Sequence, residues 1–129
     1  MRKILMIALA AASLALCNGC ALLVVGGAAA AGAGAVAYTE GQLKDTEAAS
    51  LDAVHTATLT ALRDMQYAVV SDAKDVNNAK IIARTATDTK IEIQLAKQSP
   101  SITEIRIRVG TFGDEQLSRQ ILAKIKAHL

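Results

Sequence analysis

Tryptophan is absent, and Tyr38, Tyr67 and Phe112 are the only aromatic residues among 129. A chain so poor in aromatics lacks the platforms on which unpaired bases stack. Histidine occurs twice, at His55 and His128, and cysteine twice, at Cys17 and Cys20. No Cys or second His is placed to complete a zinc site with His55. Charge of one sign is also missing once the chain is divided. Of 14 Lys and Arg, Arg2 and Lys3 precede Cys20, leaving 12 against the 12 Asp and Glu that all follow it. The sequence pI near 8.6 therefore reflects the N-terminus, and the balanced remainder excludes nucleic acid as a partner.

Long apolar runs are present. Arg2 and Lys3 open the chain, and Ile4 to Leu16 is apolar but for Ser13. A positive start, a short apolar stretch and small residues form a secretory signal, and 13 residues fall short of the roughly 20 that span a bilayer. Leu16-Cys17-Asn18-Gly19-Cys20 resembles a lipobox, with Cys17 in place of the usual Leu or Val. Gly19 is the small residue that cleavage requires and Cys20 the lipid-attachment residue, while Leu16 is too bulky for Cys17 to take that role. The alternative is an uncleaved N-terminal membrane helix. Removing residues 1–19 leaves 110, enough for one small domain with a core. Ala21 stands where an Asp would mark retention in the inner membrane, so the lipobox resemblance implies the outer membrane, with the domain in the periplasm. Cys17 would be discarded and Cys20 capped, leaving no free thiol.

Residues 21–37 carry no polar side chain. As a helix, 17 residues reach about 26 Å, just short of the hydrocarbon core. Gly26, Ala30 and Gly34 recur every four residues, a spacing that lets membrane helices approach closely. Glycine costs a helix about 1 kcal/mol, so a compliant tether is the competing reading. Both stay open. Residues 20–40 are thus expected to form a lipidated, membrane-proximal segment. Gly32-Ala33-Gly34-Ala35-Val36-Ala37 matches the dinucleotide fingerprint, but that motif works only between a strand and a helix of a βαβ sheet, and the chain is too short for one. No cofactor is expected.

From Gly41 onward the pattern is that of a folded domain, residues 41–129. Gly41 to Ala49 reads as a weak first strand, and Ser50 as the N-cap of a helix with Leu51, Val54, Thr58, Leu62 and Met65 on one stripe, ending near Met65-Gln66. Tyr67 to Ser71 reads as a strand running into a polar loop at residues 72–78. Lys80 to Thr87 follows, then Lys90 to Lys97, with Ile91, Ile93 and Leu95 opposite Glu92 and Gln94. Pro100 marks a turn. Thr103, Ile105, Ile107 and Val109 alternate with Glu104, Arg106 and Arg108. Such one-sided alternation predicts an antiparallel sheet with one wet face. Asp114 caps a last helix bearing Leu117, Ile121, Leu122 and Ile125. The expected fold is α+β: a two-layer domain, β-α-β-β-β-β-α, with a four- to five-stranded antiparallel sheet and two helices on one face.

The lipobox, the Gly/Ala run, the stretch Ala48 to Leu62 and above all Arg108-Val109-Gly110-Thr111-Phe112-Gly113-Asp114-Glu115 resemble a family of small bacterial lipoproteins of unknown function. The resemblance implies an envelope lipoprotein and transfers no activity. His55 departs from it, standing where an aromatic is expected.

Individual residues have plain readings. His55 lies at the edge of the helix stripe, a core-edge position, and His128 is expected in solvent. Asp72, Asp75, Asn77, Asn78 and Asp88 lack the register of a calcium loop. Glu92, Arg106 and Arg108 line the wet face, as cross-strand ion pairs or as a partner surface. Gly110 to Glu115 is read as a structural loop: Gly110 and Gly113 supply positive φ, Phe112 plugs the core and Asp114 caps the helix. The expected role is a non-catalytic binding or structural accessory, held to the membrane by lipid and contacting another envelope component. A carrier of a small apolar ligand between helices and sheet is the alternative. A hydrolase is remote, since only Ser50 lies near His55.

Overall fold

Alternation of isoleucines with polar residues drives the architecture. The computed structural model describes residues 36–129; Gly19, Cys20, Gly26, Ala30 and Gly34 lie outside them. Six strands and two helices follow in order: β1 (Ala37–Thr39), β2 (Gln42–Glu47), α1 (Leu51–Asp64), β3 (Ala68–Lys74), β4 (Asn78–Arg84), β5 (Lys90–Ser99), β6 (Ile102–Val109) and α2 (Glu115–Lys126). They form an α+β domain whose single antiparallel sheet has the order β1-β2-β6-β5-β4-β3.

Two strand assignments differ from the sequence reading. The sheet has six strands, not four to five, because Ala37-Tyr38-Thr39 pairs with β2, Tyr38 opposite Leu43. The sheet thus begins inside the segment read as membrane-proximal, four residues before Gly41, and both Val36 and Tyr38 pack against the core. Residues 72–74, read as loop, complete β3, which pairs with β4 from Ala68 opposite Arg84 to Lys74 opposite Ala79, with an irregularity between Val69 and Ser71. Only residues 75–77 remain as a turn. There the Asp75 carboxylate accepts from the amides of Asn77 at 2.7 Å and Asn78 at 2.8 Å. Those amides hold the Asp75 carboxyl below the ordinary carboxylate range.

The inward rows of the central strands are almost wholly apolar. Ile81 and Ala83, then Ile91, Ile93 and Leu95, then Ile105, Ile107 and Val109 join Leu43 in one buried cluster. The helices add Leu51, Val54, Ala57, Ala61 and Leu62 from α1 and Ile121, Leu122 and Ile125 from α2. Each fully buried Ile or Leu contributes about 1.5–3 kcal/mol, so this cluster outweighs any single polar contact. The buried hydroxyls are satisfied. The Thr58 hydroxyl donates to the Val54 carbonyl at 2.7 Å, Thr103 to Ala49 at 2.9 Å, and Ser118 to Asp114 at 2.6 Å.

Both helices start on side-chain caps. The Ser50 hydroxyl accepts from the Ala53 amide at 3.2 Å, and the Asp114 carboxylate from the Leu117 amide at 2.9 Å. α1 stops at Met65 because Gln66 turns to φ 61°. No helix among the described residues is long and apolar enough to cross a membrane.

Candidate functional site: the open face of the sheet

Burying one row of each strand leaves the alternate row on the opposite face. Strand register places those side chains in ranks across the sheet. Lys44 on β2 lies opposite Arg106 on β6, which lies opposite Gln94 on β5, itself opposite Lys80 on β4. Adjacent strands are about 4.8 Å apart, so this rank runs about 14 Å with three cations and no carboxylate. A second rank sets Arg108 opposite Glu92, and a third sets Lys90 opposite Arg84. The face thus carries six cations (Lys44, Lys80, Arg84, Lys90, Arg106 and Arg108) against Glu92 and Glu104, although residues 36–129 as a whole are balanced.

Lys44–Arg106 and Arg84–Lys90 are like charges directly opposed across a strand pair. Such pairs destabilise a sheet by a few tenths to about 1 kcal/mol each. Local carboxylates offset part of this. Glu92 is contacted by Lys80 at 3.2 Å and Lys90 at 3.0 Å, and accepts from the Gln94 amide at 2.7 Å. The Gln94 hydrogen bond first, then the lysines, hold its carboxyl at about 2. Arg106 pairs with Glu104 two residues back, and Arg84 with Asp88 at 3.2 Å. Lys44 has no ion pair among the described residues.

Two open clefts lie along this face. One, of about 700 Å³, is lined by Lys74, Asn78, Lys80, Gln94 and Arg106 among others. The other, of about 620 Å³, is lined by Arg84, Lys90, Glu92, Arg108, Gly110 and Thr111 among others. The three residues singled out from sequence, Glu92, Arg106 and Arg108, therefore share one face but differ in freedom. Arg108 is tied down: its Nη2 donates to the Glu40 carbonyl at 2.8 Å, and its Nε is shielded with no acceptor among the described residues. Lys44 and Lys80, which complete the cationic rank, were not singled out, since neither alternation nor motif marks them. Strand register alone brings them together.

The Gly110-to-Glu115 loop closes one end of the face. Gly110 and Gly113 adopt φ of 70° and 84°. Gly113 is also a packing requirement, because a Cβ there would lie 2.5 Å from both the Gly41 Cα and the Tyr38 hydroxyl oxygen. In return, a Cβ on Gly41 would meet the Phe112 carbonyl oxygen at 2.6 Å. Phe112 itself corrects an expectation. Its side chain does not plug the core but is 93 % exposed, since the loop turns its backbone, not its ring, toward the β1–β2 turn.

Other tempting residues are engaged elsewhere. His55 Nε2 is 2.8 Å from Asp72 Oδ1, linking α1 to β3, and the Ser50 hydroxyl serves as a cap. His128 is exposed, as expected, and lies 2.7 Å from Asp64 at the end of α1. Asp72, Asp75 and Asp88 do not converge, and no group of three or more His, Cys, Asp or Glu among the described residues could hold a metal ion. Where a carrier would need a chamber, Val54, Ala61, Leu62, Ile121 and Ile125 sit at 0 % exposure in the shared core.

No curated protein matches the chain. A family model described as "Protein of unknown function (DUF3568)" covers residues 3–128, nearly the whole chain with its N-terminal apolar run, all six strands and both helices, and the chain belongs to that family.

Proposed function

We propose that the chain is a lipid-anchored envelope protein, processed after Gly19, modified at Cys20 and held at the outer membrane with residues 36–129 in the periplasm. Its folded part performs no chemistry and binds another envelope component through the open face of the sheet. The observation that carries this reading is the cationic rank Lys44-Arg106-Gln94-Lys80, with like charges placed side by side on a face that neither α1 nor α2 covers. A sheet selected for stability alone would set carboxylates into that rank. The lipobox supports the anchor, and the stretch 21–37 supplies either a membrane-associated helix or a tether between anchor and sheet.

Intact mass of the product, extracted from separated inner and outer membranes, tests the anchor. The expected species starts at Cys20, carries a diacylglyceryl group and an acyl chain, and fractionates with the outer membrane. A chain starting at Met1 with unmodified cysteines would overturn it.

A further inference from the structure

We infer that the open face, together with the exposed Phe112 beside it, docks onto an anionic phospholipid surface. The envelope component in the proposed function would then be the bilayer itself. The inference rests on that reading for the anchor but draws on separate observations.

Charge complementarity comes first. Six cations face Glu92, Glu104 and, at the border, Asp88 on one side of a domain that is neutral as a whole, so the remaining surface is acidic and the domain is polarised. In water the opposed like charges Lys44–Arg106 and Arg84–Lys90 repel. A plane of phosphate headgroups relieves both pairs at once and orients the domain with its acidic side outward. The shape of the face agrees: its clefts are open, and the cationic rank is about 14 Å long across four strands. It suits a fluid charged plane better than a single deep-bound ligand.

Phe112 supplies the second observation. It is one of three aromatic residues in the chain, and it is 93 % exposed on a loop whose Gly110 and Thr111 line the same cleft as Arg108. A bare ring costs hydration in a soluble protein and gains by entering the interfacial region of a bilayer. An acidic protein partner would call for a different face. Tight protein interfaces centre on apolar or aromatic anchors within the patch. Here the middle ranks hold Gln94, Glu92 and Arg106, none of them apolar or aromatic.

The test uses the full-length lipidated chain reconstituted into vesicles of phosphatidylcholine alone, or with phosphatidylglycerol as one lipid in three, each containing a headgroup-linked quencher. A fluorophore is attached at Gln94→Cys on the open face, or at Thr56→Cys on the exposed side of α1. The expected result is strong quenching of the Gln94 probe on the anionic vesicles only. High salt should abolish it, and the Thr56 probe should not respond. Lys44→Gln and Lys80→Gln should each weaken docking about fivefold, Lys→Arg at the same positions should restore it, and Phe112→Ser should weaken it by a similar factor at each salt concentration that still permits docking. Equal quenching on both vesicles, an equal response at Thr56, or indifference to the lysine variants would overturn the inference. So would a Gln94 probe that ignores both vesicles but responds to soluble polyglutamate, which would assign the face to an acidic protein. Intact mass of the same preparation separates the two claims. A chain without lipid on Cys20 defeats the anchor, while the Gln94 contrast still decides the face.

Discussion

The two ends of the sheet attach their helices with the same chemistry in opposite surroundings. At the β1–β2 end, Lys126 of α2 reaches down to two carboxylates on β2, with its Nζ 2.6 Å from Asp45 and 2.8 Å from Glu47. Asp45 is 2 % exposed. The same end holds the Gly41–Gly113 contact and the Arg108 hydrogen bond to Glu40. At the β3 end, Asp52 and His55 of α1 face Lys74 and Asp72 on a strand exposed at all seven positions. Carboxylate–cation pairs join strand to helix in both places, but Asp45 and Glu47 are largely buried at one end while Asp52 is open to water at the other. One end is locked by carboxylates that cannot be left unpaired, and the other, where β3 gives no residue to the buried cluster, is held by its pairing with β4.

The largest effect should come from breaking the locked end at Gly113. In Gly113→Ala, the left-handed conformation costs about 1–2 kcal/mol and the overlap with Gly41 and Tyr38 adds about 1–3 kcal/mol. A loss of about 3–4 kcal/mol is expected in urea unfolding at unchanged m-value. Gly110→Ala tests the cause: its φ is similarly positive, but a Cβ there would meet only the Thr89 methyl, at 3.6 Å, so only the conformational part should be lost. Equal losses at both positions would refute the packing role of Gly113.

Lys126→Met should follow, at about 2–3 kcal/mol. Removing one partner of a fully buried pair costs about 3–5 kcal/mol, and Lys126, 38 % exposed, brings the figure down. Burial pushes the Lys126 ammonium down, but the hydrogen bonds it donates to Asp45 and Glu47 outweigh it and hold the group above its ordinary value. Because the folded form binds this proton more tightly, its contribution is fully present below about pH 10.5 and is lost as pH rises through the raised value. The wild-type protein should lose stability in that alkaline range more steeply than Lys126→Met. Replacing all three members together, Asp45→Leu, Glu47→Gln and Lys126→Met, should recover much of the loss, since no buried charge is left bare.

Little of this contrast was legible in the sequence. The central strands were, because β4, β5 and β6 are buried on one face only, and Ile91, Ile93 and Leu95 or Ile105, Ile107 and Val109 print that fact as alternation. Both helices were legible from their stripes and from the caps Ser50 and Asp114. Of the two edges, β1 was not and β3 was only as far as Ser71. β1 merges with the apolar run before it, so nothing sets Ala37 apart from the glycines and alanines of residues 26–35. β3 is exposed on both faces, so Asp72-Ala73-Lys74 has no reason to alternate and reads as loop. Phe112 misled because an aromatic residue is usually core, whereas here the backbone of its loop makes the contact. Asp45 and Lys126 are 81 positions apart in sequence, and only the pairing of β2 with β6, followed by the turn into α2, brings them together.

Between the two ends lies Glu92, on the open face. Its folded value of about 2 stands against an ordinary 4.5, owing to Gln94, Lys90 and Lys80. A depressed carboxyl contributes above its unfolded value and loses that contribution as pH falls through the folded one, here between about pH 4.5 and 2. Discounted for solvent screening, the effect is roughly 1–2 kcal/mol. Glu92→Gln should therefore flatten the acid limb of the stability profile over that window. If the limb is unchanged, Glu92 is not what sets it.

The smallest effect belongs to the open end. Lys74→Met removes the partner of Asp52, whose side chain is 81 % exposed. Lys74 holds the Asp52 carboxyl below its ordinary range by hydrogen bond and charge. Freed of its partner, however, Asp52 simply regains water, so no desolvated charge remains to be penalised. The change in unfolding free energy should stay within about 0.5 kcal/mol, and high salt should shrink it further. This variant and Lys126→Met each delete an ammonium from a strand–helix bridge, so their ratio reports the number and burial of the carboxylates left behind. A Lys74→Met loss as large as that of Lys126→Met would mean that the β3 edge is covered in solution. In that case the two ends would no longer differ in kind, and the covering group at β3 would become the next thing to find.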